Sequence, residues 1–356
     1  MKFVGCKVYG YKALKSILIL LCLFCFSCSS LQSEKLNDFE EVVAIVNYDS
    51  LYSDKEQLFG PVTDMEISDG IIALSHRNDK YNFSFINANN GQLLNRWGKI
   101  GEGPDEFLDF GGGFIFSDST LVFMEQMKKN IVYVHVSDIL KQGSVAVKRE
   151  KIPYNVDFRP VVFTLSCGFK FFGGAFSHGR LGIMDDQDSI RQCPFDYPFS
   201  TAPLDGLFRG NVYQCRLKSS EDEGKFVVQT FYSDIFEIFQ CTGDSLSRVY
   251  VSPFSNPPQV VKRNNRYGLD YDASIMGLGA MAVSDELICF LYSPLSVNEF
   301  DRQGGVSNEV LCFDWMGNKV RKYILPFPIN AFCVDEHYLY GMREYEDESV
   351  LYRFPL

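Results

Sequence analysis

The chain is short of the residues that most often carry catalysis or hold a metal. It has four histidines, His76, His135, His178 and His337, and no G-x-S-x-G elbow, so a hydrolase triad has little to stand on. The cysteines beyond the first thirty residues form no C-x-x-C pair, which argues against a thiolate zinc site. Cations are outnumbered, with 34 Lys and Arg against 45 Asp and Glu. A chain so acidic is not drawn to nucleic acid. No long hydrophobic run is present either. The unbroken apolar stretch Ile17 to Phe26 falls well short of the about 20 residues that span a bilayer. No helix-period stretch of useful length occurs, and no G-x-G-x-x-G or P-loop spacing accompanies a βα unit.

What is present begins with a leader. Lys2, Lys7, Lys12 and Lys15 precede the apolar run, which ends at Ser27 and Cys28. A charged lead, a short apolar core and a small residue before the cut describe a secretory signal over residues 1–27. Ser27-Cys28 resembles the bacterial lipobox, which implies lipidation of Cys28. Cys25 and Phe26 depart from its usual Leu and small residue, and plain secretion is the alternative. Residues 28–40 then read as a polar tether. Losing four of the 34 basic residues and none of the 45 acids leaves a net charge of −15. Seven cysteines remain after the tether, namely Cys167, Cys193, Cys215, Cys241, Cys289, Cys312 and Cys333. An odd number leaves at least one thiol unpaired. They read as small buried hydrophobes on strands, with Cys289 and Cys312 placed to bridge adjacent strands if any pair does.

From about residue 41 the sequence repeats with a period of roughly 48 residues. Val62 onward breaks into TDMEI, IIALS, NFSFI and QLLNRW, separated by DG, NDK and NNG. Each run is rich in β-branched or aromatic residues, so the unit is four short strands with tight turns. Further sets start near Gly112, Arg159, Leu207 and Ile275, the fourth opening with LFRGNVYQCRL. The third contains the glycine-broken FKFFGGAFSHGRLG. The insertion from Ser252 to Ser274 stretches one interval. The last unit offers only NAFCV, YLYGM and SVLYRF. Val42 to Tyr48, VVAIVNY, supplies its missing fourth strand. The expected fold is therefore an all-β, six-bladed β-propeller of four-stranded antiparallel blades over residues 41–356, closed by the N-terminal strand.

The stretch Trp97 to Phe110, WGKIGEGPDEFLDF, lies between the first two units. Gly98, Gly101 and Gly103 can take positive φ, Pro104 fixes its own, and Phe107 can pack between blades, so the stretch is an inter-blade turn. Its pattern G-x-x-G-x-G-P-x-E-F is similar to the inter-blade turn of NHL-like and TolB-like six-bladed propellers, many of them lipoproteins of Gram-negative anaerobes. The resemblance implies an exported propeller anchored at the outer membrane by its lipid alone, periplasmic or at the cell surface. It implies no particular activity. In such bacteria Asp-Ser followed by an aliphatic residue or Thr resembles an O-glycosylation triplet. Here it would place glycans on Ser50, Ser119, Ser189 and Ser245, although Asp-Ser is also simply a good turn pair.

Propellers bind at the axial mouth, on loops joining second to third strands. Those loops carry His76, Arg77, Lys128, His178, Arg180, Tyr232, Arg302 and Arg343. Recurring cations in an acidic chain point to an anionic ligand, such as an acidic glycan or a carboxylated metabolite. The bland alternative is that polar surface loops carry charge by default. A propeller hydrolase or lactonase would need several oxygens converging on an axial metal. Asp64, Asp157, Asp270 and Asp272 do not recur from blade to blade and read as turn caps, and His135 reads as a packed strand residue. No cofactor is implied. A third reading is a protein–protein module of an envelope complex, with Asn265, Arg266, Tyr267, Tyr271 and Asp272 of the insertion as its surface. A monomer is expected.

Overall fold

The computed structural model describes residues 35–55, 59–103, 106–108, 113–141, 145–153, 158–177, 179–184, 189–199, 204, 206–220, 224–243, 245–252, 256–264 and 266–356. Cys28 and the leader lie outside the described residues, as do Pro104, Asp157, His178 and Asn265. Among the described residues no helix is long and apolar enough to cross a membrane.

Six sheets follow one another along the chain. Blade one is Val62–Ser68, Ile71–His76, Tyr81–Asn87 and Leu93–Lys99. Blade two is Phe114–Ser117, Thr120–Glu125, Asn130–His135 and Val147–Lys151. Blade three is Phe158–Ser166, Phe169–Phe176, Leu181–Met184 and Ile190–Gln192. Blade four is Cys215–Ser219, Lys225–Thr230, Phe236–Thr242 and Ser245–Val251. Blade five is Ile275–Val283, Leu287–Ser296, Ser307–Asp314 and Lys319–Ile329. Blade six is Ala331–Val334, Tyr338–Glu344 and Ser349–Pro355, with Asp49–Ser53 as its outer strand. Strands within each blade pair antiparallel in sequence order.

The apolar core proves the ring. It is divided into clusters that each join one blade to the next. Phe83 and Phe85 meet Phe114 and Phe123 between blades one and two. Met124 and Ile131 meet Phe163 and Phe172 between two and three. Phe171 stacks on Phe226 at 4.5 Å between three and four. Phe236 meets Phe290 and Phe313 between four and five. Leu291 and Val310 meet Phe332 and Phe354 between five and six. Met342 and Leu351 meet Met65 and Ile72, which closes the circle from six to one. A sheet two-sided in its burial must be covered on both faces, and the neighbouring blades do this. Each buried aromatic contributes about 1.5–3 kcal/mol relative to exposure.

The N-terminal closure holds, but its strand differs from the expected one. Val42–Ala44 runs parallel to Lys319–Ile329 as a fifth strand of blade five, and Asp49–Ser53 zips antiparallel onto Ser349–Pro355. The richer β-branched run thus flanks the neighbouring blade, while Leu51 and Tyr52 reach the cluster between blades six and one. The fourth repeat also starts later than its apolar run. Gly206–Val212 is a short helix, and the strand begins at Cys215. Glycines do not break blade three. Phe169–Phe176 is continuous, and Gly173 leaves room for Cys215 and Leu217 of the next inner strand.

Of the three glycines in the inter-blade turn, Gly98 alone has positive φ, at 76°. Gly101 and Gly103 serve a different end. A Cβ on Gly101 would collide with the Glu106 carboxylate, which accepts the Gly103 N–H at 3.1 Å and pairs with Lys99 at 2.8 Å. The turn is folded around that carboxylate, and it delivers Phe107, fully buried, against Trp97 and Phe123. Six of the seven cysteines are buried and all are free, while Cys167 is exposed. Cys289 and Cys312 are cross-strand neighbours whose sulphurs lie 2.7 Å apart. The insertion contributes a hairpin, Val260–Arg263 with Arg266–Leu269, outside the blades. His135 ends its strand exposed rather than packed, beside Thr120 Oγ1 at 3.3 Å.

Candidate functional site

A cavity of about 820 Å³ opens at the mouth among blades one to four. Blade one supplies Thr63 and Asp64 from its inner strand and His76 to Asp79 from the loop between its second and third strands. Ile100 and Leu108 come from the inter-blade turn, and Gln126 from blade two. Gly173 and Gly174 form the wall at blade three. Gln214, Arg216 and Phe231 close the side at blade four. Gly210 of the short helix also lines it. A Cβ there would strike the Gly174–Ala175 backbone, so glycine lets the helix sit directly on blade three.

The blade-one side is braced by fixed polar contacts. His76 Nδ1 lies 3.2 Å from the Gly60 carbonyl, which can only accept, so Nδ1 carries the proton. Nε2 therefore accepts from Ser84 Oγ at 2.8 Å. Burial pushes this imidazole down to about 4, against the pull of Asp79. His76 is a neutral strut beneath the loop, with both nitrogens occupied. Burial opposes ionisation of Asp79, but the Gly60 amide and Arg96 hold it below the usual carboxylate range. Arg96 lies over Phe59 and Tyr81 and completes the brace. Arg77, next in the loop, is exposed, and its guanidinium has no partner among the described residues.

The floor is a charge cluster across the axis. Lys218 of blade four reaches Asp64 Oδ1 at 3.2 Å and also pairs with Glu66, both on blade one. Burial opposes the Lys218 charge, yet Asp64 and Glu66 hold its ammonium above the ordinary lysine value. Asp64 Oδ1 takes the Met65 N–H too, at 3.0 Å, while Oδ2 is buried with no hydrogen-bond partner. Asp64 is thus an axial ion-pair residue more than a turn cap. Asp270 does cap its turn, accepting from the Asp272 and Ala273 amides. Arg216 Nη1 donates to the Gly279 carbonyl at 3.0 Å and lies over Phe231. Burial pushes the Cys215 thiol up, so this wall residue is no thiolate nucleophile. Among the described residues no cluster of three or more His, Cys, Asp or Glu could hold a metal ion.

Of the loop residues singled out in the sequence, the cavity brings together His76 and Arg77. The other described ones sit elsewhere. Lys128 ties Glu125 at 2.9 Å and the Glu106 carbonyl at 3.2 Å, joining blade two to the inter-blade turn. Arg180 is buried, bound to Glu237 and to Thr230 Oγ1, and so bridges blades three and four without reaching solvent. Tyr232 meets Tyr271 edge-on at 5.7 Å. Arg302 ends the helix Val297–Arg302, and Arg343 lies over Phe327 and Tyr345. Ser50 and Ser245 are exposed on strands, Ser189 is exposed, and Ser119 donates to Asp69 Oδ2 at 2.8 Å. In the insertion, Arg266 and Tyr271 are exposed, Tyr267 packs with Tyr197 and Tyr213, and Asp272 accepts from Asn298 Nδ2. Asp64, Gln126, Gln214 and Arg216 were not among the expected ligand residues. Alternation along the inner strands was the signal for Asp64 and Arg216, since residues two apart there share the axial side.

Solved structures resemble this fold. A candidate exported protein of Bacteroides fragilis NCTC 9343 superposes with TM-score 0.56 and 10% identity over 88% of this chain and 99% of that one. A DUF4221 family member from Bacteroides vulgatus ATCC 8482 gives 0.50 and 9%, over 87% and 98%. At such identity the likeness is one of fold. No curated protein matches the chain. The family described as TolB-like 6-blade propeller-like matches residues 39–337. With the closed ring of blades and a match over most of its length, the chain belongs to the TolB-like six-bladed propeller family.

Proposed function

We propose that this protein is an exported, lipid-anchored binding module that takes an anionic small molecule or glycan into the mouth cavity. The observation that carries the reading is the cavity itself, with an unpartnered Arg77 at its rim and Arg216 on its opposite wall. A guanidinium fork suits a carboxylate, and a cavity of about 820 Å³ has the volume of a ligand site. The leader sequence supports export and a lipid at Cys28, and the likeness to a candidate exported protein fits export. Among the described cavity residues both His76 nitrogens are engaged and burial pushes the Cys215 thiol up, which supports binding as the reading.

The test is calorimetric titration of the mature chain with a panel of carboxylated sugars and metabolites. Binders should lose about tenfold or more in affinity in Arg77→Ala, the cost of a charge-assisted contact. Unchanged affinity in that variant would overturn the reading. Export and anchoring are tested by radiolabelled palmitate incorporation, which Cys28→Ala should abolish.

A further inference from the structure

We infer that the cavity's ligand is a polyhydroxylated carboxylate, a short uronic-acid oligosaccharide, with Asp64 at the floor accepting one of its hydroxyls. The inference rests on the reading of the cavity as the ligand site and adds what the ligand must carry besides its anion. Asp64 lines the cavity at 7% exposure, and its Oδ2 is buried with no hydrogen-bond partner among the described residues, so a small turn of the side chain is needed to present it to a ligand. A buried carboxylate oxygen left unpaired is costly, and a donor from a ligand would recover that cost.

The walls repeat the same demand. Gln126 Nε2 donates to the Val161 carbonyl at 2.9 Å, and Gln214 Nε2 donates to the Asn211 carbonyl at 3.2 Å. Each amide places one N–H on the backbone and keeps its second N–H and its Oε1 to offer. With the Asp64 carboxylate, these amides set acceptors and donors side by side, and such a cavity suits a ligand rich in hydroxyls, which both donate and accept.

The donor at the floor is a neutral hydroxyl. Asp64 and Glu66 are already faced by Lys218, and Arg216 is close enough to oppose the Lys218 charge. Two carboxylates against two cations leave no net negative charge for an added ammonium. An ammonium at Oδ2 would also meet repulsion from Lys218. A hydroxyl satisfies Oδ2 without adding charge. The carboxylate of the same ligand belongs at Arg77, up the blade from Asp64.

The probe is a galacturonate trisaccharide titrated into the mature chain, with glutarate, glutamate and a neutral trisaccharide as comparisons. The wild-type protein should bind galacturonate trisaccharide at least about tenfold more tightly than each of the three. Asp64→Asn should weaken the trisaccharide by about tenfold or more while leaving glutarate unchanged, with thermal melting to confirm the fold. Glutarate binding as tightly as the trisaccharide would overturn this inference and leave the anion site standing. Tighter glutamate binding would place an ammonium at the floor and also overturn it. Binding of none of the anions would sink both readings. The wild-type comparison decides even where Asp64→Asn fails to fold.

Discussion

Two buried cations cross between blades here, and they end differently. Arg180 runs from blade three to blade four, where Glu237 receives it on Oε2 and receives Arg248 on Oε1 at 2.9 Å. Both oxygens of that carboxylate are used. Lys218 runs from blade four to blade one and takes one oxygen of Asp64, a residue of the cavity lining, leaving the other buried without a partner among the described residues. Both cations are almost wholly buried, so burial alone does not separate them. What separates them is the carboxylate each one meets: both oxygens of Glu237 are engaged, while Asp64 keeps one without a partner among the described residues. A finished ion pair holds two blades in register, whereas an unfinished one beside a void leaves room for a ligand.

The comparison breaks first at Arg180. Replacing Arg180 with Met strands Glu237 in the core with only Arg248 beside it. The expected loss is about 3–5 kcal/mol in urea denaturation, with the affinity of the folded protein for any mouth ligand unchanged. A small loss would mean that the bridge is no register device. Lys218→Met should cost less, about 1–3 kcal/mol, because Asp64 borders a cavity that admits water. A loss as large as that of Arg180→Met would show that the cavity does not relieve the stranded carboxylates.

His76 belongs with the finished contacts, and pH tests it. The unfolded chain takes a proton on this histidine near its ordinary value of 6.5, the folded chain only near 4. Its contribution to stability is therefore complete above about pH 6.5. It is lost progressively as pH falls to about 4, and falls no further below that. The expected loss is up to about 3 kcal/mol over that window. In His76→Gln this part of the pH dependence should vanish. An unaltered slope in that variant would place the titration elsewhere.

These contrasts also explain what the sequence made legible. Turn pairs such as DG and NNG, with apolar strands between them, report a local order, so the blades could be read directly. Phe107 was legible because a bulky apolar residue after a glycine-rich turn has few places to go. The closing strand was legible in kind but not in place. VVAIVNY has the stronger β pattern, yet the ring is closed by DSLYS, whose Leu51 and Tyr52 meet the cluster between blades six and one. Loop reading found Arg77 because loops announce themselves by polarity. It also swept in Arg180, whose polarity is spent inside the protein. The floor was hidden for another reason. Lys218 and Asp64 are 154 residues apart, and only the closed ring brings blade four opposite blade one.

The smallest effect lies where the ring closes. Arg353 of the last strand pairs with Asp49 of the N-terminal strand at 2.7 Å, and Asp49 is 63% exposed. Arg353 also lies over the Tyr338 ring at 4.8 Å, so it keeps a partner when the carboxylate is removed. Solvent screens the pair and entropy opposes fixing its side chains. Asp49→Asn should therefore cost about 0.5 kcal/mol or less, and even that should disappear in high salt. Closure would then rest on the strand's backbone ladder and on Leu51 and Tyr52. A loss comparable to that of Arg180→Met would mean instead that an exposed ion pair holds the ring shut, and the link between burial, completeness and strength drawn from Arg180 and Lys218 would fail.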